Sequence, residues 1–99
     1  MMRAIHFSDR RAFQAQKIAG STYFDLTQGE PGEVALWFFC PCGCQELAMI
    51  IVGIRHQPAG IPSWKWTGSM SDPTLTPSVN RIDCGWYGWL RDGYWEPIA

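Results

Sequence analysis

The sequence predicts a mainly β fold: a small zinc-ribbon-like or barrel-like antiparallel sheet with one short N-terminal helix. Two observations support this prediction. From residue 22 onward, runs of β-branched and aromatic residues alternate with turns rich in glycine and proline, as expected for consecutive short strands. In addition, three of the four cysteines lie within five residues, which indicates a metal site that holds such strands together.

The individual elements follow from these patterns in chain order. Ser8 is a suitable N-cap for a helix over residues 11–18, and Gly20 is expected to end that helix. The predicted strands then occupy residues 22–26, 34–39, 46–54, 63–67, 74–79, 85–90 and 94–98. Two hairpins are expected. The first joins 34–39 to 46–54 with the cysteines at its tip, and the second joins 85–90 to 94–98 through a turn.

Length and composition limit what the chain can be. Its 99 residues fit a single domain over 1–99, with a basic N-terminal helix or arm at 1–20 and a β domain at 21–99. The net charge of −1 argues against a protein that binds nucleic acid mainly through charge. No apolar run approaches about 18 residues, and the first residues lack the order of a signal peptide. We therefore expect a cytoplasmic protein with no membrane partner, in which cysteines remain reduced.

The strongest functional signal is the segment C-P-C-G-C at residues 40–44. Cysteines this close in sequence do not easily form disulfides with one another, whereas thiolates that converge on one cation explain the crowding. Because four sulfur ligands saturate a tetrahedral ion, we expect a structural zinc ion. Its expected ligands are Cys40, Cys42, Cys44 and Cys84. Two alternatives remain open: His6 or His56 replaces one clustered cysteine, or the cysteines are reduced and bind no metal.

Four motifs together resemble a family of small phage and prophage proteins of unknown function. They are FCPCGC at 39–44, PSWKWTGS at 62–69, PTLTPSV at 73–79 and CGWYGWLRDG at 84–93, and the resemblance covers roughly residues 22–96. Some members are named as ammonia monooxygenases, an activity that no pattern in this chain supports. Members typically carry a histidine at the position of Tyr87, which implies a zinc site with a histidine ligand. Tyrosine is a poor zinc ligand, so either Cys84 completes a four-sulfur site with the three clustered cysteines or the metal is lost. The presence of Cys84 favours the first of these alternatives.

No catalytic residue set is recognisable, so we expect that the protein is not an enzyme. The catalytic alternative is a metal-dependent hydrolase in which three cysteines bind the ion, water takes the fourth position and Glu46 is the base. The resemblance and the near-neutral charge favour a phage or prophage accessory protein that binds an unidentified protein partner, for example to inhibit a host defence system. A nucleic-acid-binding zinc domain and a structural virion component are the alternative functions.

Aromatic and basic residues are the candidate binding positions for the nucleic-acid alternative. They are Trp64, Trp66, Trp86, Trp89, Arg10 and Arg11. The tryptophans would stack on bases and the arginines would contact phosphates. Packing of the rings around the metal and a solvated helix face are the favoured interpretations. Thr74, Thr76 and Ser78 suggest either a binding loop or an irregular edge strand, and Pro77 favours the edge strand.

Overall fold

The computed structural model describes residues 1–60, 62–81 and 84–98, and contains two β-sheets and one short helix. Strands account for 46% of the described residues and helix for 7%, which confirms the predicted mainly β fold. The elements in chain order are β1 (Met2–Arg3), α1 (Arg10–Gln16), β2 (Thr22–Asp25), β3 (Glu33–Phe39), β4 (Leu47–Ile54), β5 (Trp64–Gly68), β6 (Pro73–Thr76), β7 (Val79–Arg81), β8 (Trp86–Arg91) and β9 (Tyr94–Pro97).

One sheet has five strands in the order β2-β3-β4-β5-β6. β3 and β4 pair as an antiparallel hairpin in which Phe39 lies opposite Leu47. This pairing confirms the predicted hairpin with the cysteines at its tip. β4 and β5 run parallel, with Val52 opposite Trp64. The sheet is therefore mixed and not purely antiparallel. After Ile54 the chain returns to the end of the sheet at which β4 begins, so β5 runs in the same direction as β4.

The other sheet has four strands in the antiparallel order β1-β9-β8-β7. β8 and β9 form the predicted C-terminal hairpin, and Asp92 and Gly93 in its turn have φ angles of 49° and 79°. Positive φ at both turn residues matches the twist of the paired strands. The segment predicted as one strand over 74–79 is two strands, β6 and β7. Pro77 and Ser78 separate them and carry the chain from one sheet to the other.

Buried side chains from both sheets form one hydrophobic core. On β3, Leu36 and Phe38 are fully buried, and on the opposite sheet Leu90 and Trp95 are fully buried as well. The rings of Phe38 and Trp95 lie 5.1 Å apart between centroids. The indole Nε1 of Trp95 also donates a hydrogen bond of 2.8 Å to the carbonyl oxygen of Gly20. Trp95 therefore joins the two sheets and anchors the segment that follows the helix.

The helix covers part of the outer face of the five-stranded sheet. Its buried Phe13 ring lies 4.9 Å from the ring of Phe39 and 5.9 Å from that of Tyr23. The N-cap is Asp9 and not the predicted Ser8, because the Asp9 carboxylate accepts a hydrogen bond of 3.0 Å from the backbone N–H of Ala12. Within the described residues, no helix is long and apolar enough to cross a membrane.

Replacing Trp95 with phenylalanine is expected to lower the free energy of unfolding by about 2–4 kcal/mol. The smaller ring leaves a cavity between the sheets, and the buried Gly20 carbonyl loses its donor. Urea unfolding followed by circular dichroism measures this loss. Trp89→Phe is the matched control, because Trp89 is only half-buried, and it should change stability by less than about 1 kcal/mol. Equal losses in the two variants would contradict the central position of Trp95.

Candidate functional site

Three of the four cysteines lie in the tight loop between β3 and β4. Cys40 directly follows β3 and is fully buried, whereas Cys42 and Cys44 are exposed. The backbone N–H of Cys40 donates to the carbonyl oxygen of Glu46 at 3.0 Å, and the N–H of Gly43 donates to the carbonyl oxygen of Cys40 at 3.1 Å. Gly43 has a φ of 88°, a conformation that a glycine adopts without steric cost. This loop turns three thiols toward one region.

The fourth thiol comes from the opposite sheet. Cys84 stands just before β8, and its N–H donates to the carbonyl oxygen of Arg81 at 3.3 Å. The N–H of Gly85 donates to the same oxygen at 2.8 Å, and Gly85 has a φ of 75°. A ligand set made of all four cysteines therefore links the β3–β4 hairpin of one sheet to the start of β8 in the other.

The four sulfur atoms form a group that could hold a metal ion. All four Sγ atoms lie within 4.8 Å of one another. The distance from Cys40 Sγ is 3.0 Å to Cys84 Sγ and 3.2 Å to Cys42 Sγ. A disulfide needs a separation of roughly 2 Å, and all four cysteines are free. Sulfurs at about 2.3 Å from a tetrahedral zinc ion are roughly 3.8 Å apart. This value lies between the 3.0 Å that separates Cys40 Sγ from Cys84 Sγ and the limit of 4.8 Å for the whole group, so the four sulfurs could hold one cation.

The thiols perturb one another strongly in the metal-free protein. Burial, followed by the hydrogen bond with Cys84, raises the pKa of the Cys40 thiol to about 12. The hydrogen bond from Cys40 lowers the pKa of Cys84 to about 7. Adjacent thiolates repel, so proton loss at one sulfur opposes proton loss at the next. A bound cation removes this conflict, because it stabilises all the thiolates together.

The alternative histidine ligands lie elsewhere. His6 is half-buried with its ring centroid 6.2 Å from that of Phe24, and burial lowers the pKa of His6. His56 is exposed, and its Nδ1 lies 3.1 Å from the carbonyl oxygen of Ile54. Among the described residues, neither histidine belongs to the group of side chains that could hold a metal. The four cysteines therefore remain the proposed ligand set.

The four candidate tryptophans occupy different environments. Trp66 is buried and stacks on Phe24 at 4.4 Å between ring centroids. Trp86 is half-buried and packs against the core. Trp64 also packs against the core, and its indole donates a hydrogen bond to a backbone carbonyl. Trp89 is half-buried under the guanidinium of an arginine. Packing explains the burial of Trp66 and the core contacts of Trp64 and Trp86.

The two candidate arginines lie in the first turn of the helix. Arg10 and Arg11 are both exposed. This placement fits the solvated helix face that the sequence favoured. Contact with nucleic acid therefore stays a prediction.

A serine–tyrosine pair lies where the chain passes from β6 to β7. The Ser78 hydroxyl donates a hydrogen bond of 3.1 Å to the Tyr87 hydroxyl oxygen. Tyr87 lies on β8 opposite Asn80 of β7, and 44% of its surface is exposed. Trp64 of the other sheet donates from Nε1 to the carbonyl oxygen of Ser78 at 3.1 Å, which holds the serine backbone in place. The position where the resemblance implied a histidine ligand thus lies beside a serine hydroxyl.

The other serine hydroxyls have different surroundings. Ser63 is buried and donates to a backbone carbonyl oxygen at 2.7 Å. Ser69 and Ser71 lie 3.2 Å apart between hydroxyl oxygens, and Ser71 donates to its neighbour Asp72 at 3.3 Å. Among the hydrogen bonds of the described residues, Ser78 is the one serine whose hydroxyl bonds to a titratable side chain on a strand, that of Tyr87 on β8.

Comparison with known proteins and protein families gave a family match. No curated protein and no solved structure gave a significant match. A family model described as "Bacterial ubiquitination-like system serine protease (BubE)" matches residues 7–98. Because this description names a protease, our expectation that the protein is not an enzyme is wrong. That expectation considered cysteine nucleophiles and a metal-bound water, and it did not consider a serine nucleophile.

The phage origin, the protein-binding role and the virion alternative stay predictions, because the family description names none of them. The match, by contrast, covers all but the first six residues and the last one. The chain therefore belongs to the BubE family.

Proposed function

We propose that this chain is a peptidase of a bacterial ubiquitination-like system, with Ser78 as the nucleophile and Tyr87 as the group that receives its proton. The observation that carries the proposal is the hydrogen bond of 3.1 Å from the Ser78 hydroxyl to the Tyr87 hydroxyl oxygen. The family description supplies the reaction class and the kind of system. A serine hydroxyl is a weak nucleophile unless a base lies within hydrogen-bond reach, and Ser78 has such a neighbour.

The surroundings of the pair support this role. Ser78 is half-buried and Tyr87 is exposed, so a polypeptide can reach both oxygens from solvent. The Trp64 indole holds the Ser78 carbonyl from one side, and the β7–β8 pairing holds Tyr87 from the other. Because Ser78 directly precedes β7 and Tyr87 lies on β8, the register of these two paired strands sets the separation between the two side chains. Such fixed geometry is what positions a nucleophile for attack.

The proposed reaction has two stages. The Ser78 oxygen attacks the scissile carbonyl carbon while the Tyr87 phenolate takes the serine proton. The resulting phenol then gives that proton to the leaving amine, and the carbon–nitrogen bond breaks to leave an acyl ester on Ser78. In the second stage water attacks the ester carbonyl carbon while the Tyr87 phenolate accepts its proton. The phenol then gives that proton to the Ser78 oxygen as the ester bond breaks, which regenerates the serine hydroxyl and the phenolate and releases the new carboxyl group.

The identity of residue 87 determines how strong a general base lies beside the Ser78 hydroxyl. In the phage family that the sequence resembles, a histidine typically stands at the position of Tyr87. Histidine is the most frequent general base in enzymes because its proton affinity is matched to neutral pH. A phenol keeps its proton until about pH 10. This chain is therefore proposed to have a weaker general base beside Ser78 than a chain with histidine at position 87.

We further propose that the cysteine group binds a structural zinc ion. Four sulfur ligands at the observed spacing would saturate a tetrahedral ion and leave no position for water. The ion would stabilise the fold without taking part in peptide hydrolysis. Cys84 lies three residues before Tyr87 in the sequence, so the ion would also fix the beginning of the strand that carries the base.

Reaction with a fluorophosphonate tests the proposed nucleophile. Such a reagent forms a covalent bond with an activated serine, and we expect one label per chain on Ser78 by peptide mapping. Ser78→Ala should abolish labelling and lower hydrolysis of p-nitrophenyl acetate at pH 9 by at least about 100-fold. Ser71→Ala is the matched control, because Ser71 is an exposed serine next to a carboxylate, and it should keep full labelling. A label on another serine, or none, would contradict the proposal.

A further inference from the structure

We infer that a cleft beside β2 binds a lysine side chain of a polypeptide, and that Asp25 holds the ammonium group. The cleft lies where the segment after β1 runs along β2, and residues 6–8 and 23–27 line it together with Met70. Its volume is about 280 Å³. Pockets for whole small-molecule ligands usually have roughly 300–1,000 Å³, so this cleft suits a single side chain.

Asp25, the last residue of β2, presents a carboxylate to the cleft. Its Oδ1 accepts from the Thr27 hydroxyl at 2.6 Å and from the Thr27 N–H at 3.0 Å. The bond from the hydroxyl, followed by that from the N–H, lowers the pKa of Asp25, so the group is charged at neutral pH. Only 9% of the Asp25 surface is exposed, and among the described residues no cation forms an ion pair with it. A carboxylate with little access to water and no paired cation favours a cationic ligand.

Aromatic rings form walls of the cleft, and packing outside the cleft fixes them. Phe24 stacks on Trp66 at 4.4 Å between ring centroids. Phe7 and Tyr23 both pack against the buried ring of Phe13, at 6.0 and 5.9 Å. Ring faces attract cations, and apolar surface suits the alkyl stem of a lysine whose ammonium group reaches a polar partner. The rings and the carboxylate thus match the two parts of a lysine side chain.

The acceptors in the cleft favour lysine over arginine. A guanidinium binds a carboxylate best through two parallel hydrogen bonds, one to each oxygen, and Thr27 already occupies Oδ1 of Asp25. An ammonium is a compact charge that one free oxygen can hold. His6 and Ser8 also line the cleft. Burial lowers the pKa of His6, so a neutral imidazole nitrogen and a hydroxyl oxygen can accept from the remaining ammonium protons.

Arg10 is the charged residue that opposes this binding. After the two hydrogen bonds from Thr27, the charge of Arg10 also lowers the pKa of Asp25, yet no ion pair joins the two side chains within the described residues. Its guanidinium would repel a second cation that approaches Asp25. Arg10→Gln should therefore bind a lysine side chain about twofold to threefold more tightly than the natural chain.

An NMR titration of the full chain with Nα-acetyl-lysine methylamide tests the inference. We expect saturable shifts of backbone amide signals that are confined to residues 6–8, 23–27 and Met70. Nα-acetyl-norleucine methylamide has a similar apolar stem but no ammonium group, and it should bind at least about tenfold more weakly. Nα-acetyl-arginine methylamide should also bind more weakly than the lysine probe, because it lacks a second free carboxylate oxygen to pair with.

Asp25→Asn removes the charge but keeps an oxygen for Thr27, and it should weaken binding of the lysine probe at least about tenfold. Asp92→Asn is the matched control, because Asp92 is an exposed carboxylate in the β8–β9 turn, and it should leave the affinity unchanged. The inference would be overturned by the absence of saturable shifts, by shifts elsewhere in the chain, by equal or tighter binding of the norleucine or arginine probe, or by full affinity of Asp25→Asn. If Asp25→Asn does not fold, Arg10→Gln decides, since unchanged or weaker binding by that variant would contradict the site.

Discussion

The Cys84→Ser variant is expected to lose its zinc and to unfold at a much lower urea concentration than the natural chain. Cys84 is the one proposed ligand that lies beside the four-stranded sheet, just before β8, whereas the proposed ligands Cys40, Cys42 and Cys44 share one hairpin loop. Without it the ion no longer links the two sheets. Binding of a structural zinc ion supplies on the order of 10 kcal/mol, and a small domain is stable by about 5–15 kcal/mol in total. Losing one of four ligands should therefore remove several kcal/mol.

Zinc per chain, measured by elemental analysis of the purified proteins, and urea unfolding with and without chelator together test this expectation. The natural chain should contain one zinc ion and should be destabilised by the chelator. Glu46→Gln is the matched control, because Glu46 is an exposed residue at the same hairpin but offers no sulfur, and it should keep both the metal and the stability. A natural chain that purifies without zinc and is unaffected by chelator would refute the structural role of the ion.

The cysteine cluster and the β3–β4 hairpin could be predicted from sequence because their signals are local. Three cysteines within a short loop bounded by two apolar runs already define a hairpin tip. The C-terminal hairpin could be predicted equally well, since the Asp92-Gly93 pair is a strong turn signal. The parallel pairing of β4 and β5 could not be predicted from the sequence. It depends on the path of the connecting loop, which no periodic pattern records.

The serine–tyrosine pair is the part of the proposed site that sequence reasoning missed. Ser78 and Tyr87 are nine residues apart, and they meet only because β7 and β8 pair in one particular register. The sequence interpretation placed Ser78 inside one edge strand over 74–79, which hid the change of sheet at Pro77. Serine nucleophiles in some enzymes follow a local signature such as G-x-S-x-G, and no such signature surrounds Ser78. The histidine implied at position 87 was available as a signal, but it was interpreted as a metal ligand.

The Tyr87→His variant is expected to increase kcat/KM for an ester or peptide substrate at pH 7 by roughly tenfold to a hundredfold. An imidazole loses its proton near pH 6.5 and a phenol near pH 10, so at neutral pH only the imidazole is largely present as a base. General bases contribute about 10²–10⁴-fold to such reactions when correctly placed. Histidine is smaller than tyrosine and reaches less far toward Ser78, so we expect a gain at or below the lower limit of this range.

The pH profiles separate a catalytic role of Tyr87 from a structural one. The activity of Tyr87→His should reach a plateau near neutral pH, and the shape of its pH profile should differ from that of the natural chain. Tyr87→Phe keeps the ring but removes the acceptor oxygen of the Ser78 hydrogen bond, and it should lose activity at every pH while remaining folded. Tyr94→His is the matched control, since Tyr94 is an exposed tyrosine of the same sheet, and its profile should follow the natural one. If Tyr87→Phe retained full activity and Tyr87→His left the profile unchanged, the Ser78 proton would have to leave by another route.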